Sequence, residues 1–573
     1  MRVDEFTLDG TLDLGASFTV DSPSLTIKGG TIRTLADTTF PNPATIDTLG
    51  ATIDSNGFNS TFSGTYTGPG GLTKIGSGTI ILTGNNTYSG GTTISAGTLQ
   101  LGNGGATGSI LDNVTLAFNR SDTVTFPGVI SGTGRLTQIG SGTTILTADN
   151  IYGGTTTVAA GTLAAGAADT LPGLTAVTVL APGRLDLHGF NQSIGSLAGA
   201  GSVTFGSATL TTGNDNTNTT FSGVISGSGA LHKVGTGTFI LAGANTYTGD
   251  TTISGGTLQL GNGGTSGSII GNVTDNSMLA FNRSDTVTFP GVISGSGSVV
   301  QIGPGTVILT AANIYTGGTT ISGGTLQLGN GGPTGNIIGN VTDNGTLVFN
   351  RSGDKKTFAG VIGGSGAVVK LGSDTLELTA NNTYGGGTTI LDGTLAVGTL
   401  IAADQPISTA LGTGKVFVDP GTLRTTSAST GVPLIINVGG NYTQAAGGTL
   451  ALGIGGLDGR QYDQVQVGGN ASLNGTLAVS SLNGFRPANL NAFEVLHSNG
   501  SRNGQFAQVQ DSLNNNPNLF RSDFYFANAV VLFYKAAPAF PSTVVVPFRI
   551  APPDPDAPLS LAVLLADLNP TAE

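Results

Sequence analysis

The segment GTVILTAANIYTGGTTISGGTLQLG, residues 305–329, contains the pattern that decides the fold, because the chain carries it five times. The other copies are residues 78–102, 142–166, 237–261 and 374–398. A segment repeated in this way folds as one structural unit that stacks on its neighbours. The structure of this segment therefore determines the structure of most of the chain.

Alternation of apolar and polar positions predicts three short strands in each copy. In residues 305–329 the first strand begins at Thr306, the second is centred on Ile321, and the third buries Leu326. Side chains two positions apart share one face of a strand, which indicates one buried face and one outer face. The outward position of the first strand is Ile in four copies and Glu377 in the fifth, which predicts that it faces water.

Two corners join the three strands. The first corner contains an Asn and a Tyr two residues apart, here Asn313 and Tyr315. Asn side chains bond to nearby backbone and tolerate positive φ, so the Asn predicts a tight turn. The second corner contains Gly324. The repeated Tyr residues are interpreted as local packing and not as a ladder for a ligand.

The composition supports a stacked β fold. Gly accounts for 95 of the 573 residues and charged residues for 9%, against roughly 25% charged residues in ordinary soluble proteins. One copy alone cannot bury its apolar face, but coils that pair through their main chains can. The sequence therefore predicts an all-β parallel β-helix, which is a solenoid. The formal net charge of −12 argues against a nucleic-acid partner.

The spacing of the copies predicts the length of a coil. Successive copies start at positions 78, 142, 237, 305 and 374, so the intervals between them are 64, 95, 68 and 69. Three coils of roughly 22 residues account for the three similar intervals, and one further coil with a loop, in residues 167–220, accounts for the longer one. Equivalent copies are then three coils apart, or about 14 Å.

The chain divides into four predicted regions. They are N-terminal coils in residues 1–60, the β-helix with the five copies in 61–432, a C-terminal cap in 433–535, and a Pro-rich, disordered tail in 536–573. The cap is expected to cover the open end of the helix, because an unpaired strand edge promotes aggregation. The aromatic-rich segment 519–535 is predicted to form the last strand pair.

The five copies resemble the passenger-associated transport repeat of autotransporters, also called the autotransporter-associated β-strand repeat. Residues 433–535 resemble the C-terminal end of autotransporter passengers, through GGNYTQAAGGTLAL, YDQVQVGGNASLNGTLAVSSLNGFRP, FEVL and GQFAQV. The resemblance implies a right-handed β-helical passenger of a type V secretion system, located at the cell surface or outside the cell. It also implies that the C-terminal region caps the helix and helps it to fold, as an autochaperone region does.

The family plan further includes a signal peptide and an outer-membrane translocator barrel. The opening residues MRVDEFTLDGTLDLGASFTV lack the apolar segment of a signal peptide, and no barrel is recognised in this sequence. The barrel is therefore expected as a partner. The resemblance favours a monomeric, non-catalytic stalk or adhesin-like protein that binds a host surface protein or a glycan. Two alternatives stay open: a β-helical carbohydrate-active enzyme, and a non-functional fragment of a larger autotransporter gene.

No group of residues predicts a catalytic, cofactor-binding or metal site. His188, His232 and His497 are far apart in the sequence, whereas metal ligands must converge. An enzyme of this fold would need carboxylates on one face of adjacent coils. The acidic residues considered for it are Asp186, Asp215, Asp250, Asp275, Asp285, Asp343, Asp354, Asp374 and Glu377. Asp122 and Asp285 occupy the same place in two FNRSD phrases, which indicates a repeated turn.

Overall fold

The computed structural model describes residues 5–16, 20, 25–104, 108–398 and 407–537. Short strands follow one another around three faces of a solenoid, and the strands of one face pair in parallel from coil to coil. The predicted parallel β-solenoid is confirmed. The faces are numbered 1, 2 and 3 in the cyclic order of the chain, starting from the face that contains Thr39–Phe40.

Face 1 consists of two ladders. The first comprises Thr39–Phe40, Ser60–Phe62, Thr79–Leu82, Thr98–Leu101, Thr115–Phe118, Arg135–Gln138, Thr156–Val158, Ala176–Val179, Ser196–Gly199, Thr219–Phe221, Thr238–Leu241, Thr257–Leu260, Met278–Phe281, Ser298–Gln301, Thr319–Ile321, Val341–Asp343 and Ile362–Gly363. The second comprises Ile407–Ser408, Ile435–Val438, Gln464–Val467, Asn491–Ser498, Ala529–Ala536 and Leu519–Tyr525.

Face 2 consists of three ladders. The first comprises Phe6–Leu8, Leu25–Ile27, Ala44–Ile46 and Tyr66–Thr67. The second comprises Thr123–Phe126, Thr143–Leu146, Thr162–Ala165, Arg184–Asp186, Ser202–Thr204 and Val224–Ser226. The third comprises Thr286–Phe289, Thr306–Leu309, Thr325–Leu328, Thr346–Phe349, Ala367–Lys370, Gly387–Ile390, Val416–Val418, Tyr442–Gln444, Ala471–Leu473 and Arg502–Gly504.

Face 3 also consists of three ladders. The first comprises Thr11–Leu14, Thr31–Thr34, Ala51–Asp54, Leu72–Ile75, Thr92–Ile94, Ile110–Asp112 and Ile130–Ser131. The second comprises Gln192–Ile194, Thr209–Thr212, Ala230–Lys233, Thr251–Ile253, Val273–Asp275 and Ile293–Ser294. The third comprises Lys356–Phe358, Thr375–Leu378, Thr394–Val397, Thr422–Thr425, Thr449–Ile454, Thr476–Ser481 and Gln508–Asp511.

Each coil is shorter than the spacing of the copies predicted. Leu136 pairs with Thr156, and Val299 pairs with Thr319, so paired residues in adjacent coils stand twenty apart in the sequence. Near the C-terminus the coils lengthen, since Ile435 pairs with Gln464. Because the coil is shorter than expected, three coils do not fill the interval between one copy and the next.

The copies are rotated relative to one another around the solenoid. Their first strands lie on face 1 at Thr79 and Thr238, on face 2 at Thr143 and Thr306, and on face 3 at Thr375. The three similar intervals therefore correspond to three and a third coils, and the longer interval to four and two-thirds. The predicted spacing of whole coils is wrong, because each copy starts one or two faces further on than whole coils would place it.

The interior of the solenoid is one continuous apolar core that the inward residues of all three faces share. The Gly corner of the copies is confirmed, since Gly324 adopts φ +63, in the left-handed region. A Cβ atom there would lie 2.4 Å from Gly305 O of the preceding coil. Gly is required at this corner for both its backbone conformation and its lack of a side chain.

An antiparallel hairpin closes the C-terminal end of face 1. Ala529–Ala536 pairs antiparallel with both Asn491–Ser498 and Leu519–Tyr525, which confirms the strand pair predicted for residues 519–535. A short helix, Ser427–Thr430, and a 3-10 turn, Gly459–Gln461, precede it. The region boundaries stay predictions. Of the predicted tail, residues 538–573 lie outside the described residues.

Candidate functional site

Each copy interrupts one ladder of the solenoid. In residues 305–329 the turn with Asn313 and Tyr315 takes the place of a strand on face 3. The next segment on that face also lacks a strand, so the ladder stops at Ile293–Ser294 and resumes at Lys356–Phe358. The copies at 78–102 and 237–261 break face 2, the copy at 142–166 breaks face 3, and the copy at 374–398 breaks face 1.

The Asn side chain bridges the broken ladder. Asn313 Oδ1 accepts a hydrogen bond of 2.9 Å from Ile293 N in the preceding coil, and its Nδ2 donates one of 3.1 Å to Asn336 O in the next coil. Four other Asn residues accept the equivalent bond: Asn86 from Tyr66 N, Asn150 from Ile130 N, Asn245 from Ile225 N and Asn382 from Ile362 N. The side-chain amide thus makes the hydrogen bonds that a peptide group of the missing strand would have made.

The predicted bond to nearby backbone is present in three copies, where Asn150, Asn245 and Asn313 donate to the carbonyl group two residues earlier. The bonds to neighbouring coils were not predicted, and the five Asn residues have ordinary backbone angles instead of positive φ. The local role predicted for the Tyr residues is confirmed. Tyr315 is fully buried, and its hydroxyl lies 2.7 Å from Thr319 Oγ1, four residues on. The other copies repeat this pair at Tyr88–Thr92, Tyr152–Thr156, Tyr247–Thr251 and Tyr384–Thr388.

A polar side chain fills the interior at the Gly corner of every copy. The residue is Lys74, Gln138, Lys233, Gln301 or Lys370, and each is at most 1% exposed. Lys74 Nζ, for example, donates to Ile75 O at 2.8 Å, Gly76 O at 2.8 Å and Ala96 O at 3.0 Å. Burial lowers the pKa of Lys74 to about 8. The three lysines therefore tie the corners of adjacent coils together from inside, whereas Gln138 and Gln301 bond to the carbonyl groups of their own corners.

Sequence reasoning missed these five residues. They occupy an inward position of the strand before each copy, in KIGSG, QIGSG, KVGTG, QIGPG and KLGSD. Polar side chains on strands normally face solvent, but the corner carbonyls point inward here and would otherwise lack partners. The alternation of the lead-in strand, where Lys or Gln stands at an inward position five times, was the available signal.

Three carboxyl groups are also enclosed in the solenoid. Asp112, Asp275 and Asp343 are fully buried, and each accepts a backbone N–H bond of 3.0 Å through Oδ1. Their Oδ2 atoms have no hydrogen-bond partner among the described residues. Burial raises the pKa of each carboxyl to about 6. An enclosed carboxyl of this kind cannot reach a substrate, but it makes folding sensitive to pH.

The C-terminal region contains a buried carboxylate with a complete set of donors. Asp463 Oδ2 accepts from Thr425 Oγ1 at 2.6 Å, Ser427 Oγ at 2.5 Å and Gly453 N at 2.7 Å, and Oδ1 accepts from Leu434 N at 2.8 Å. Burial raises the pKa of Asp463. Asp463 lies in YDQVQVGG, one of the phrases that carries the resemblance, but its role was not predicted from the sequence.

The three histidines lie in separate surroundings. His188 is a turn residue with φ 52, His232 Nε2 lies 2.8 Å from Ser254 Oγ, and His497 Nδ1 lies 2.8 Å from Glu494 Oε1. The described ranges contain no group of three or more His, Cys, Asp or Glu residues that could hold a metal ion. Nor does any helix in the described part of the chain have the length and apolar character needed to span a membrane.

The carboxylates considered for an enzyme are mostly buried or paired. Asp275 and Asp343 are enclosed, and Asp374 pairs with Lys370 Nζ at 2.9 Å. The others make local contacts: Asp186 with Arg184, Asp215 with Thr217, Asp250 with Asn272, and Asp285 with Arg283. Asp354 is exposed.

The exposure predicted for Glu377 is wrong. Its side chain points outward from the strand, but the residue is only 8% exposed. Lys355 Nζ lies 2.8 Å from Glu377 Oε2, and Thr357 Oγ1 donates to the same atom at 2.7 Å. The preceding coil thus supplies partners that cover and neutralise the carboxylate.

Two cavities lie on face 3, each at a broken ladder. The first, of about 490 Å³, lies between Ile151, Leu174 and Ser193. The exposed side chains of Ile151 and Leu174 make its rim apolar. The second, of about 290 Å³, lies between Thr334, Arg351 and neighbouring residues. A strand that is replaced by a turn leaves less material on the face, which explains why cavities form there.

The family model for the passenger-associated-transport-repeat matches residues 72–101, 136–165, 231–260, 299–328 and 368–397. These five segments are passenger-associated-transport-repeats. Each repeat starts six residues before the copy predicted from the sequence, and so it includes the interior Lys or Gln. The structural unit of the repeat therefore combines the interior Lys or Gln, the Asn bridge and the Tyr–Thr pair.

Two curated relatives share parts of this sequence. The adhesin BmaC autotransporter of Brucella suis biovar 1 (strain 1330) is 32% identical over 223 residues, which are 35% of this chain and 6% of that protein. The uncharacterized protein YuaQ of Escherichia coli (strain K12) is 30% identical over 188 residues, which are 30% of this chain and 13% of that protein. The chain thus spans a small part of the length of the curated relatives it matches.

One solved structure aligns with most of this chain at low similarity. The crystal structure of the Haemophilus influenzae Hap adhesin aligns with 89% of this chain and 64% of its own, at 12% identity and a TM-score of 0.30.

Proposed function

We propose that this chain is a segment of the surface-exposed passenger of an autotransporter and serves as a non-catalytic adhesive stalk. The five passenger-associated-transport-repeats, each built into a continuous solenoid, carry this proposal. The similarity to an autotransporter adhesin over 223 residues supports it. The partners on this proposal are an outer-membrane translocator barrel and a host surface protein or glycan.

The internal chemistry of the solenoid suits export through a pore. Each coil is stabilised mainly by the coil before it, so folding can proceed one coil at a time as the chain emerges. The chain has no cysteine, so no disulfide bond can form before or during passage. Only 9% of its residues are charged. The Asn bridges and the bonds of the interior lysines to the next coil form only when that coil is in place, and they favour folding in sequence.

The enclosed and paired carboxylates support a stalk over an enzyme. A glycosidase presents two carboxyl groups to its substrate at a separation of about 5 to 10 Å. In this chain Asp275 and Asp343 are buried, and Asp285 is paired with an arginine. The surface of the repeats instead presents hydroxyl and amide groups, which suit many weak contacts.

Location and adhesion can be tested on intact source cells. An antibody raised against residues 237–398 should label intact cells or the medium, and external protease should remove the label while a periplasmic marker stays intact. Cells from which the gene is deleted should adhere less to the host surface. A product confined to the cytoplasm would contradict the proposal, as would adhesion unchanged by the deletion.

A further inference from the structure

Arginine in the FNRS phrase is saturated with partners in two of its three occurrences. Arg283 donates from Nε and Nη2 to the Asp285 carboxylate at 2.9 and 2.7 Å, from Nη1 to Gly267 O, and from Nη2 to Thr265 O. Arg120 makes the same bidentate pair with Asp122 and donates from Nη1 to two loop carbonyls. Each of these guanidinium groups thus makes four hydrogen bonds within the fold.

Arg351, in the third phrase, lacks this set of partners. Gly353 stands where the other phrases have Asp, so no carboxylate lies two residues on. Arg351 Nη1 makes one long bond of 3.4 Å to Gly335 O, and Nε lies 3.4 Å from Asp374 Oδ2 without a hydrogen bond. Asp374 is shared with Lys370, so it neutralises only one of the two cations. A buried guanidinium is left with unused donors.

Arg351 lines the cavity of about 290 Å³ on face 3. Arg351 is 4% exposed, which makes it a deep wall of this cavity and not a surface cation. Thr334, Asn336, Lys356 and Thr357 also line it. The side-chain amide of Asn336 has no hydrogen-bond partner, and Lys356 no ion pair, within the described residues. The lining thus combines a charged donor at depth with neutral and charged donors near the opening.

The charge around the cavity is positive, although the chain is acidic overall. Residues 351–377 carry four cations, Arg351, Lys355, Lys356 and Lys370, against three acids, Asp354, Asp374 and Glu377, so this segment has one positive charge in excess in a chain with formal net charge −12. Asp374 lies near both Lys370 and Arg351, and Glu377 pairs with Lys355, whereas Asp354 is exposed and lies outside the cavity lining. A carboxylate that enters the cavity would find Arg351 and Lys356 available.

We propose that this cavity binds one acidic sugar unit, with its carboxylate on Arg351 and its hydroxyl groups on Asn336 and Thr334. The volume is close to the lower limit for small-ligand pockets, about 300 Å³, which suits a single ring. Amide and hydroxyl groups at the rim match the hydroxyl groups of a sugar better than the side chains of an acidic peptide. The inference rests on the proposed adhesive function for its setting.

Binding can be measured on the full purified chain without cells, which separates this test from that of location and adhesion. Sodium glucuronate is titrated into the chain and followed by saturation-transfer NMR, with glucose as the neutral probe and a hexaglutamate peptide as the alternative anion. Glucuronate should bind and glucose should not. Arg351→Gln and Asn336→Asp should each weaken glucuronate binding by about tenfold or more, since the first removes the charged donor and the second adds a repelling charge.

Arg283→Gln is the matched control, because it changes the same phrase one repeat earlier, where the arginine is saturated. It should leave glucuronate binding unchanged. Asn336→Asp guards against misfolding, because Asn336 is half-buried at the rim and its side chain holds no structural bond among the described residues. Equal binding by wild type, Arg351→Gln and Asn336→Asp would overturn the proposal, and so would no glucuronate binding by wild type. Tighter binding of hexaglutamate at the same residues would overturn the assignment to a sugar.

Discussion

The hydroxyl group of Thr425 donates a hydrogen bond of 2.6 Å to the carboxylate of Asp463 across 38 residues of chain. The same carboxylate holds the start of the short helix and the backbone of two neighbouring strands. One side chain therefore holds the long C-terminal coils together, in a region that contains no repeat among the described residues.

Replacing Asp463 should lower the stability of the C-terminal coils. Donors reach both oxygen atoms of Asp463, so Asp463→Asn places its NH2 group against a donor in either orientation. We expect a loss of about 3 kcal/mol or more and early cleavage after residue 425 in limited proteolysis. Asp458→Ala, which removes an exposed cap of the nearby 3-10 turn, should cost about 1 kcal/mol or less. Equal protease resistance of the two variants would show that Asp463 does not hold the coils.

The Asn bridge can be tested within one repeat. Asn382→Ala removes the bonds to Ile362 N and Ala410 O and leaves two buried backbone groups unpaired, so unfolding free energy should fall by about 2 to 4 kcal/mol. Asn381→Ala, at the exposed neighbouring position, is the control and should cost less than about 1 kcal/mol. Urea unfolding measures both, and similar losses would contradict the bridging role.

The Gly corner should not accept a side chain. Gly324→Ala requires φ +63 and brings Cβ to 2.4 Å from Gly305 O, so we expect a loss of about 2 kcal/mol or more. Gly332→Ala has ordinary φ and no neighbour within 4 Å of its Cβ, and it should be neutral or slightly stabilising. A drop in melting temperature of the same size for both variants would exclude a special role for the corner.

Stability should depend on pH through the enclosed carboxyl groups. The pKa of Asp275 rises from 3.8 to about 6 on folding. The group therefore contributes stability that is complete below about pH 4 and lost as pH rises through 6. A shift of about 2 pKa units is worth up to about 3 kcal/mol.

Asp275→Asn does not titrate, so the fall in unfolding free energy between pH 5 and pH 8 should be smaller in this variant. Chemical unfolding at the two pH values measures it, with the exposed Asp354→Asn as the control that should keep the wild-type slope. An unchanged slope in Asp275→Asn would mean that this carboxyl group does not titrate in that range.

The C-terminal hairpin should protect a strand edge. A chain of residues 1–512 lacks the strands Leu519–Tyr525 and Ala529–Ala536 and exposes the edge of Asn491–Ser498. We expect it to aggregate, whereas a chain of residues 1–537 should stay monomeric in light scattering. If both chains are monomeric and equally resistant to protease, the hairpin has no protective role.

The strands of the repeats could be predicted from the sequence, because alternation around Thr306 and the glycine at Gly324 report local backbone geometry. The rotation of the repeats could not, because it depends on the length of a coil, and only the pairing of residues such as Leu136 and Thr156 measures that length. The Asn bridge was missed for a related reason: its partners, such as Ile293 N, are one coil away.

The interior polar residues were missed for a different reason. Lys74 and Asp275 face the interior and break the rule that charged strand residues face water. Their partners are corner carbonyls and backbone N–H groups that turn inward. The candidate cavity at Arg351 depends on a single missing carboxylate, and its significance is visible only beside the saturated Arg283.

Most successive repeats are offset by one-third of a turn, so each of them begins one face further round the solenoid than the repeat before it. Loss or gain of one such unit by recombination would change the height of the stack by three and a third coils, about 16 Å. It would also rotate all coils beyond the junction by one face of the solenoid. Variants that differ by one unit would therefore turn the outer surfaces beyond the junction in different directions, and only gain or loss of three units would restore the original orientation.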